Sequence, residues 1–310
     1  MPPASSLTPE SVRKFLNDPD FLARYSHIPG ETAARIIRYG SPVGSFIECH
    51  VKLSRCMGRL QGMIDEAEKK GTTIPSGTVV LAHELQHGSG RFARTWHAPK
   101  GGLWMAVALA DTLLPEYTRL LPLAAGTASC EAVRSYGIVA TTKWVNDILV
   151  HGRKIGGILC ETYNAKSSGD RYHLIGIGIN CNVKKFPGEL RDSVISMHEL
   201  LPNEVEINHF ARNLLASLVW NIGLIHLQEE SDLENRESDS PEKTGQPYVM
   251  DAWLKLSDTP GRRVCYGYDV VRQPLYTARV IQVDSWGGLV MQLEDGSTVT
   301  EYSGEILYLD

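Results

Sequence analysis

The chain has 310 residues, 43% of them hydrophobic and 22% charged, with a formal net charge of -5. That length supports a full-sized core and more than one domain, and the composition is that of a globular protein. The acidic balance excludes a broad electrostatic grip on nucleic acid, which needs clustered Lys and Arg. The cysteines, at 49, 56, 130, 160, 181 and 265, form no Cys-x-x-Cys pair and read as reduced, buried thiols.

Residues 1–45 read as a mixed leader with short helices around 11–22 and 32–39 and no packed domain of its own. It is too short for a winged-helix DNA-binding module. Residues 1–12 lack a basic-then-apolar signal pattern. No apolar run approaches the ~20 residues of a membrane helix. The expectation is a cytoplasmic protein with no nucleic-acid and no membrane partner.

From residue 46 strands and helices alternate. Residues 78–82, Thr-Val-Val-Leu-Ala, form a buried strand, and 102–110 another. Residues 120–135 suit a helix ending before Gly137. Short strands at 141–144 and 148–150 lead through the turn His151-Gly-Arg-Lys into 155–162, a hairpin pattern. Residues 172–179 are a further strand. Asn208 is placed to cap a helix reaching about residue 227, with Phe210, Leu214, Leu218 and Ile225 on one face. Residues 228–247 are highly charged and read as a solvated loop. After a helix at 248–256, strands at 262–266, 276–284, 289–293, 297–302 and 305–309 predict a small C-terminal barrel. The domain reading is a leader 1–45, a main domain 46–256 and a barrel 257–310.

Two segments carry chemistry. The loop Gly88-Ser-Gly-Arg-Phe-Ala-Arg follows a strand; its glycines let backbone approach a ligand, and Arg91 and Arg94 could converge on phosphate or carboxylate with forked donors. No Gly-Lys-Ser/Thr follows, so it is not a P-loop. The second, Lys143-Trp-Val-Asn-Asp147, puts a lysine, the amide of Asn146 and a carboxylate at a strand end, with Lys154 across the turn. Asp147 is a candidate Mg²⁺ ligand or a partner for a lysine. Gly176-Ile-Gly-Ile-Asn-Cys begins like a dinucleotide fingerprint but lacks its last glycine. His83-Glu-Leu-Gln-His87 matches a zinc-hydrolase pattern, which requires a helix where a strand and two glycines stand.

Over residues 46–310 the chain resembles the biotin protein ligases. The resemblance is carried by Gln86–Trp96, by Lys143–Asp147 with Lys154-Ile-Gly-Gly-Ile-Leu-Cys-Glu161, by Gly176-Ile-Gly-Ile-Asn180, and by Gly304-Glu305-Ile306. It implies an α+β fold: a mixed β-sheet flanked by helices, of the class II synthetase and biotin–lipoate ligase type, with a C-terminal SH3-like β-barrel. It implies ATP-dependent, Mg²⁺-assisted activation of biotin to biotinyl-5′-AMP. Transfer to a lysine of a biotin carboxyl carrier protein would follow. A homodimer is allowed.

By family position, Arg91, Lys154 and Lys143 are catalytic candidates. Ser54, Gln86, Ser89, Gly90, Arg91, Lys154 and Gly156 would contact biotin; Arg94, Trp96, Asn146 and Asn180 would contact the nucleotide. The departures are specific. Leu53-Ser54-Arg55-Cys56 stands where the family has Asp-Ser-Thr-Asn, so only Ser54 fits. Ser89 replaces a common arginine, Ala93 a common glycine and Val145 a usual proline. The alternatives are a ligase of altered acyl specificity, a lipoate or octanoyl ligase, a binding module with a degenerate pocket, and the zinc hydrolase.

Overall fold

The computed structural model describes residues 6–236 and 246–310; residues 1–5 of the leader and 237–245 of the acidic segment lie outside the described residues. Strands β1 (Ile47–His50), β2 (Thr78–Ala82), β5 (Leu103–Ala110), β6 (Thr141–Lys143), β7 (Asp147–Val150), β8 (Arg153–Asn164) and β9 (Arg171–Ile179) form one sheet. Its order is β1-β2-β5-β9-β8-β7-β6, and only β1 and β2 run parallel. A two-stranded ribbon, β3 (Gly88–Ser89) and β4 (Thr95–Trp96), stands beside it.

The sheet is mixed, as expected, and is covered on both faces. Val79 and Leu81 of β2 face one core and Val80 and Ala82 face the other, so every residue of this strand is buried. Strands buried on both faces read as continuous apolar runs, which is why 78–82 was legible. Helix α4 (Cys56–Glu68) covers one face. The other is covered by α6 (Leu121–Arg134), preceded by the short α5 (Pro115–Thr118), and by α7 (Ile207–Arg236).

Helix α7 corrects three expectations. Its first turn is held by Glu206, whose carboxylate accepts from the N–H groups of Asn208 and His209 at 3.0 and 2.7 Å, so Asn208 is not the cap. It runs on to Arg236 through the first part of the supposed acidic loop. There Asp232 is buried, accepting from Tyr117 at 2.6 Å and from Gln228 at 2.9 Å. By length and composition α7 would also pass for a membrane helix, and its apolar stretch is mostly buried inside the fold. Asn213, Ser217 and Asn221 interrupt it at four-residue spacing and form one polar line.

The leader docks along that line. Helices α1 (Pro9–Leu16), α2 (Pro19–Ala23) and α3 (Gly30–Gly40) put Val12, Leu16, Phe21 and Ile36 into the main core. Arg24 donates to Asn213 at 2.9 Å, and Tyr25 stacks on Trp220 with ring centres 3.9 Å apart. The Tyr25 hydroxyl donates to Glu131 of α6 at 3.0 Å. Residues 6–45 are therefore a packed layer, not a free leader. The amphipathic stripes of such short helices gain meaning only once the receiving surface is known.

Helix α8 (Tyr248–Leu256) leads into β10 (Arg263–Gly267), β11 (Tyr276–Val283), β12 (Leu289–Leu293), β13 (Thr298–Glu301) and β14 (Glu305–Tyr308). These form the expected small antiparallel C-terminal unit, in the order β13-β12-β11-β10-β14. Gly287 and Gly296 take φ of 80° and 84° in the turns that Trp286-Gly-Gly and Asp295-Gly predicted. The unit is tied to the main sheet: Trp144 donates from its ring to Gly287 O at 2.9 Å and from its backbone to Thr259 at 3.1 Å. All six cysteines are free. Burial pushes the thiols of Cys56, Cys130 and Cys160 up to about 12, which leaves them inert.

Candidate active site

The centre of the sheet carries a trough floored by glycine. Gly157 of β8 pairs with Gly178 of β9, and Leu159 with Gly176. A Cβ on Gly178 would lie 2.9 Å from the Trp96 ring nitrogen, and one on Gly176 2.9 Å from the Met57 sulfur. Glycine is required here because other groups approach the strand closely. Above this floor a cavity of about 680 Å³ opens, within the range of small-molecule sites.

One end of the cavity is charged. Asp147 opens β7, directly across from Lys143 on β6, and the turn brings Lys154 back on β8. Lys154 Nζ lies 2.5 Å from one Asp147 oxygen and Lys143 Nζ 4.0 Å from the other. Burial alone would raise the Asp147 carboxyl; Lys154, then Lys143, outweigh it, and the group is held below its ordinary value. Burial lowers the Lys143 ammonium, with Asp147 opposing. The ring of Trp96 sits 5.1 Å from Lys154 Nζ and that of Tyr308 5.5 Å from Lys143 Nζ. Asn146 and Asn180 also line the cavity; their amide nitrogens are spent on Ile158 O at 2.7 Å and Ile195 O at 3.1 Å. The Trp96 ring N–H is buried and has no acceptor among the described residues.

The glycine loop folds over the cavity from the other side. Gly88 faces the Trp96 carbonyl, where an added Cβ would come within 2.4 Å. The left-handed residue of the turn is Phe92, with φ 53°, and not either glycine. Ser89, Gly90, Arg91 and Arg94 all line the cavity. Both arginines are engaged by the C-terminal unit. Arg91 donates to Gly304 O at 2.7 Å and to Ser303 at 3.3 Å. Arg94 pairs with Glu305 at 2.6 Å and Asp269 at 3.1 Å. Burial draws the Arg91 guanidinium below its ordinary value, with Glu305 and Asp147 opposing.

The structure thus gathers Arg91, Lys143, Lys154, Ser89, Gly90, Arg94, Trp96, Asn146, Asn180 and Asp147 at one cavity. It does not bring in three expected residues. Ser54 is exposed and sits 3.2 Å from His87, and Gln86 is exposed; neither lines the cavity. Gly156 faces the opposite side of the strand, against Ile179 and Ile148, and Gly157 takes its place. Of the two roles open to Asp147, metal ligand or lysine partner, the structure shows the second: one oxygen is paired with Lys154 at 2.5 Å and the other lies 4.0 Å from Lys143. Among the described residues no group of three or more His, Cys, Asp or Glu side chains is placed to hold an ion. The zinc reading fails on geometry: residues 83–87 are extended and irregular, and His83 and His87 are exposed.

Sequence reasoning missed a second set of lining residues: Arg55 and Met57 of the α4 start, Phe186, and Asp258, Arg262 and Tyr308 from the C-terminal unit. No motif marks them. The Gly-x-Gly of 176–178 was the available signal, since period two puts both glycines on one sheet face.

Residues 60–182, which hold the glycine floor, the loop and the hairpin, match the model of the biotin/lipoate A/B protein ligase family. The bifunctional ligase/repressor BirA of Bacillus subtilis (strain 168) is 32% identical over 185 residues, 57% of this chain and 55% of that protein. The biotin--[acetyl-CoA-carboxylase] ligase of Mycobacterium tuberculosis is 30% identical over 149 residues, 46% of this chain and 53% of that protein. The chain therefore spans about half the length of the curated relatives it matches. The likeness in fold extends beyond the matched residues. A biotin protein ligase from Aquifex aeolicus, in complex with biotin and ATP, superposes with a TM-score of 0.65 at 20% identity, covering 85% of this chain and 98% of that one. A biotin protein ligase from Leishmania major, in complex with biotinyl-5-AMP, gives 0.51 at 22% identity over 83% and 98%.

Proposed function

We propose that this chain is a biotin protein ligase. It activates biotin with MgATP to biotinyl-5′-AMP and pyrophosphate, then passes the biotinyl group to a lysine of a biotin carboxyl carrier protein. The observation that carries the reading is that Arg91, Lys143 and Lys154 line one glycine-floored cavity inside a ligase-family domain. The relatives are biotin ligases, which favours biotin over lipoate or octanoate. A cytoplasmic setting, where ATP and carrier meet, belongs to the same proposal.

The chemistry requires an acid's carboxylate to attack the innermost phosphorus of ATP, so two anions must approach. A cation held ~4 Å from the developing charge contributes about 4 kcal/mol at an effective dielectric of about 20. Lys154 is fixed by Asp147 and by the Trp96 face, and so arrives oriented. Lys143 adds charge from the neighbouring strand. The unpaired Trp96 N–H offers a donor to the reactants. The loop at 88–94 shields the mixed anhydride from water. In this reading magnesium enters as part of the substrate MgATP; among the described residues no cluster of three or more His, Cys, Asp or Glu side chains is placed to hold an ion.

The test is biotin-dependent ATP–pyrophosphate exchange by the purified protein, followed by biotin transfer to a carrier domain. Exchange that needs biotin, ATP and magnesium together is the expected result. Folded protein that releases no pyrophosphate with all three present overturns the proposal.

A further inference from the structure

Apolar side chains gather where the cavity meets solvent. Val271 and Leu307 of the C-terminal unit line the cavity and are exposed, Val271 by 75%, so the cavity opens to solvent beside them. Phe92, in the glycine loop that folds over the same cavity, is 44% exposed. Its ring meets that of Tyr268 edge-on, with centres 6.0 Å apart, and Tyr268 is exposed as well. The Arg91 guanidinium lies 4.9 Å from the Phe92 ring and lines the cavity. Loop and C-terminal unit thus share one apolar rim, held together by the contacts of Arg91 and Arg94 with Gly304, Glu305 and Asp269.

Folding alone does not account for this rim. Phe92 is left-handed, at φ 53° and ψ 38°, a conformation that is costly for a bulky side chain and free for glycine. Gly90 in the same loop keeps a φ of -110°, so the strain falls on the aromatic residue. Val271 sits in a turn built by Asp269, whose carbonyl accepts from the N–H groups of Arg272 at 3.1 Å and Gln273 at 2.7 Å. Such turns usually carry glycine or polar residues. Single exposed apolar side chains are ordinary. A set of them around a cavity opening, one held at a steric cost, marks an interface.

We infer that Phe92, Tyr268, Val271 and Leu307 are the face on which the acceptor of the activated acyl group docks, and that this acceptor is a folded carrier domain presenting a lysine. The inference rests on the ligase reading and deepens it by giving the protein partner a surface. In the transfer the neutral amine attacks the acyl carbonyl of the adenylate. A C–N bond forms, the acyl C–O bond to phosphate breaks, AMP leaves with the electron pair, and the amine proton passes to solvent. A lysine carries its amine on a short flexible stem, so the domain that bears it must settle on whatever surrounds the opening. The rim offers that domain an apolar contact, with aromatic rings as anchors. Phe92 belongs to the loop and the other three residues to the C-terminal unit, so the face is complete only with the loop closed. The carrier thereby reads the closed site, and its docking covers the opening from water.

The experiment compares the full chain as wild type, Tyr268→Ser and Phe92→Asn, with the biotin-free carrier domain of an acetyl-CoA carboxylase as one acceptor and hydroxylamine, too small to dock, as the other. Asparagine tolerates the left-handed backbone, so Phe92→Asn removes the ring and keeps the loop. Both variants raise the carrier KM about 10-fold, the loss expected for an aromatic anchor at an interface. In Tyr268→Ser, biotin-dependent pyrophosphate exchange and transfer to hydroxylamine stay within about twofold of wild type. In Phe92→Asn the loss with the carrier exceeds any change with hydroxylamine by about fivefold or more. A thermal melt checks folding, and Tyr268→Ala or Phe92→Gly replaces a variant that does not fold. A carrier KM within about twofold of wild type in both variants overturns the inference, as does an equal loss with hydroxylamine. A dimer in sedimentation that the variants break, with the carrier KM unchanged, gives the face to a second copy and overturns it too. If wild type makes no biotinyl-5′-AMP, the ligase reading fails and this inference with it; if wild type labels the carrier and the rim variants do so equally well, this inference fails alone.

Discussion

The hairpin at 143–157 and the loop at 88–94 both deliver cations to one cavity, and they hold them in opposite ways. In the hairpin, strand register alone sets Lys143 opposite Asp147 and returns Lys154 beside it, so charge and countercharge come from the same few residues. In the loop, Arg91 and Arg94 are satisfied by a different unit, through Gly304, Glu305 and Asp269. The first set is positioned by folding itself. The second is parked on neighbouring groups that an arriving anion must displace. Preorganised charge favours the chemical step, and exchangeable charge favours closure over a bound ligand.

Substitutions can break or sharpen this contrast. The largest effect is expected from Lys154→Ala, which should lower the rate of adenylate formation by about 10³-fold while the melting temperature changes little. Asp147→Asn comes next: it leaves two lysines without their countercharge and should cost about 10²-fold in the same exchange assay. Arg91→Ala should cost about 10-fold in kcat/KM and release more free biotin from the adenylate in single-turnover mixtures, because the loop loses its anchor. If Arg91→Ala proved as damaging as Lys154→Ala, the division between fixed and exchangeable cations would be wrong. Asp269→Asn frees one partner of Arg94 and should move the KM for ATP downward by about two- to threefold.

The smallest effect is expected far from both regions. Burial raises the Glu131 carboxyl to about 7, despite hydrogen bonds from Tyr25 and Asn221. A raised carboxyl stabilises the fold fully below its unfolded value, and that contribution is lost as pH rises through about 7. Glu131→Gln should therefore gain on wild type in melting temperature between pH ~4.5 and ~7 and hold the gain above. Parallel melting curves across that range would show that the carboxyl titrates normally.

The loop, the hairpin and the small C-terminal unit were legible because each is local. Strand period two, turn glycines and cations a few residues apart are written within short windows of sequence. Arg55 and Met57 were not, since nothing in the sequence says that the start of α4 lines the same cavity as the loop and the hairpin. The same holds for the C-terminal carboxylates that occupy Arg94. Ser54 and Gln86 misled for the converse reason: their sequence position fits a pattern, while the path of the backbone turns both outward. Helix α7 was cut short because its charged end looked solvated, although Asp232 and Gln228 find partners inside.

The docking of helices α1 to α3 bears on how this protein can be shortened. A chain begun at residue 46 would lose no passenger. It would strip the cover from one flank of α7, leaving the Trp220 ring wet and Asn213 without its arginine. Apolar surface uncovered in that way drives association between copies, so the trimmed protein should precipitate before any change in its chemistry could be measured.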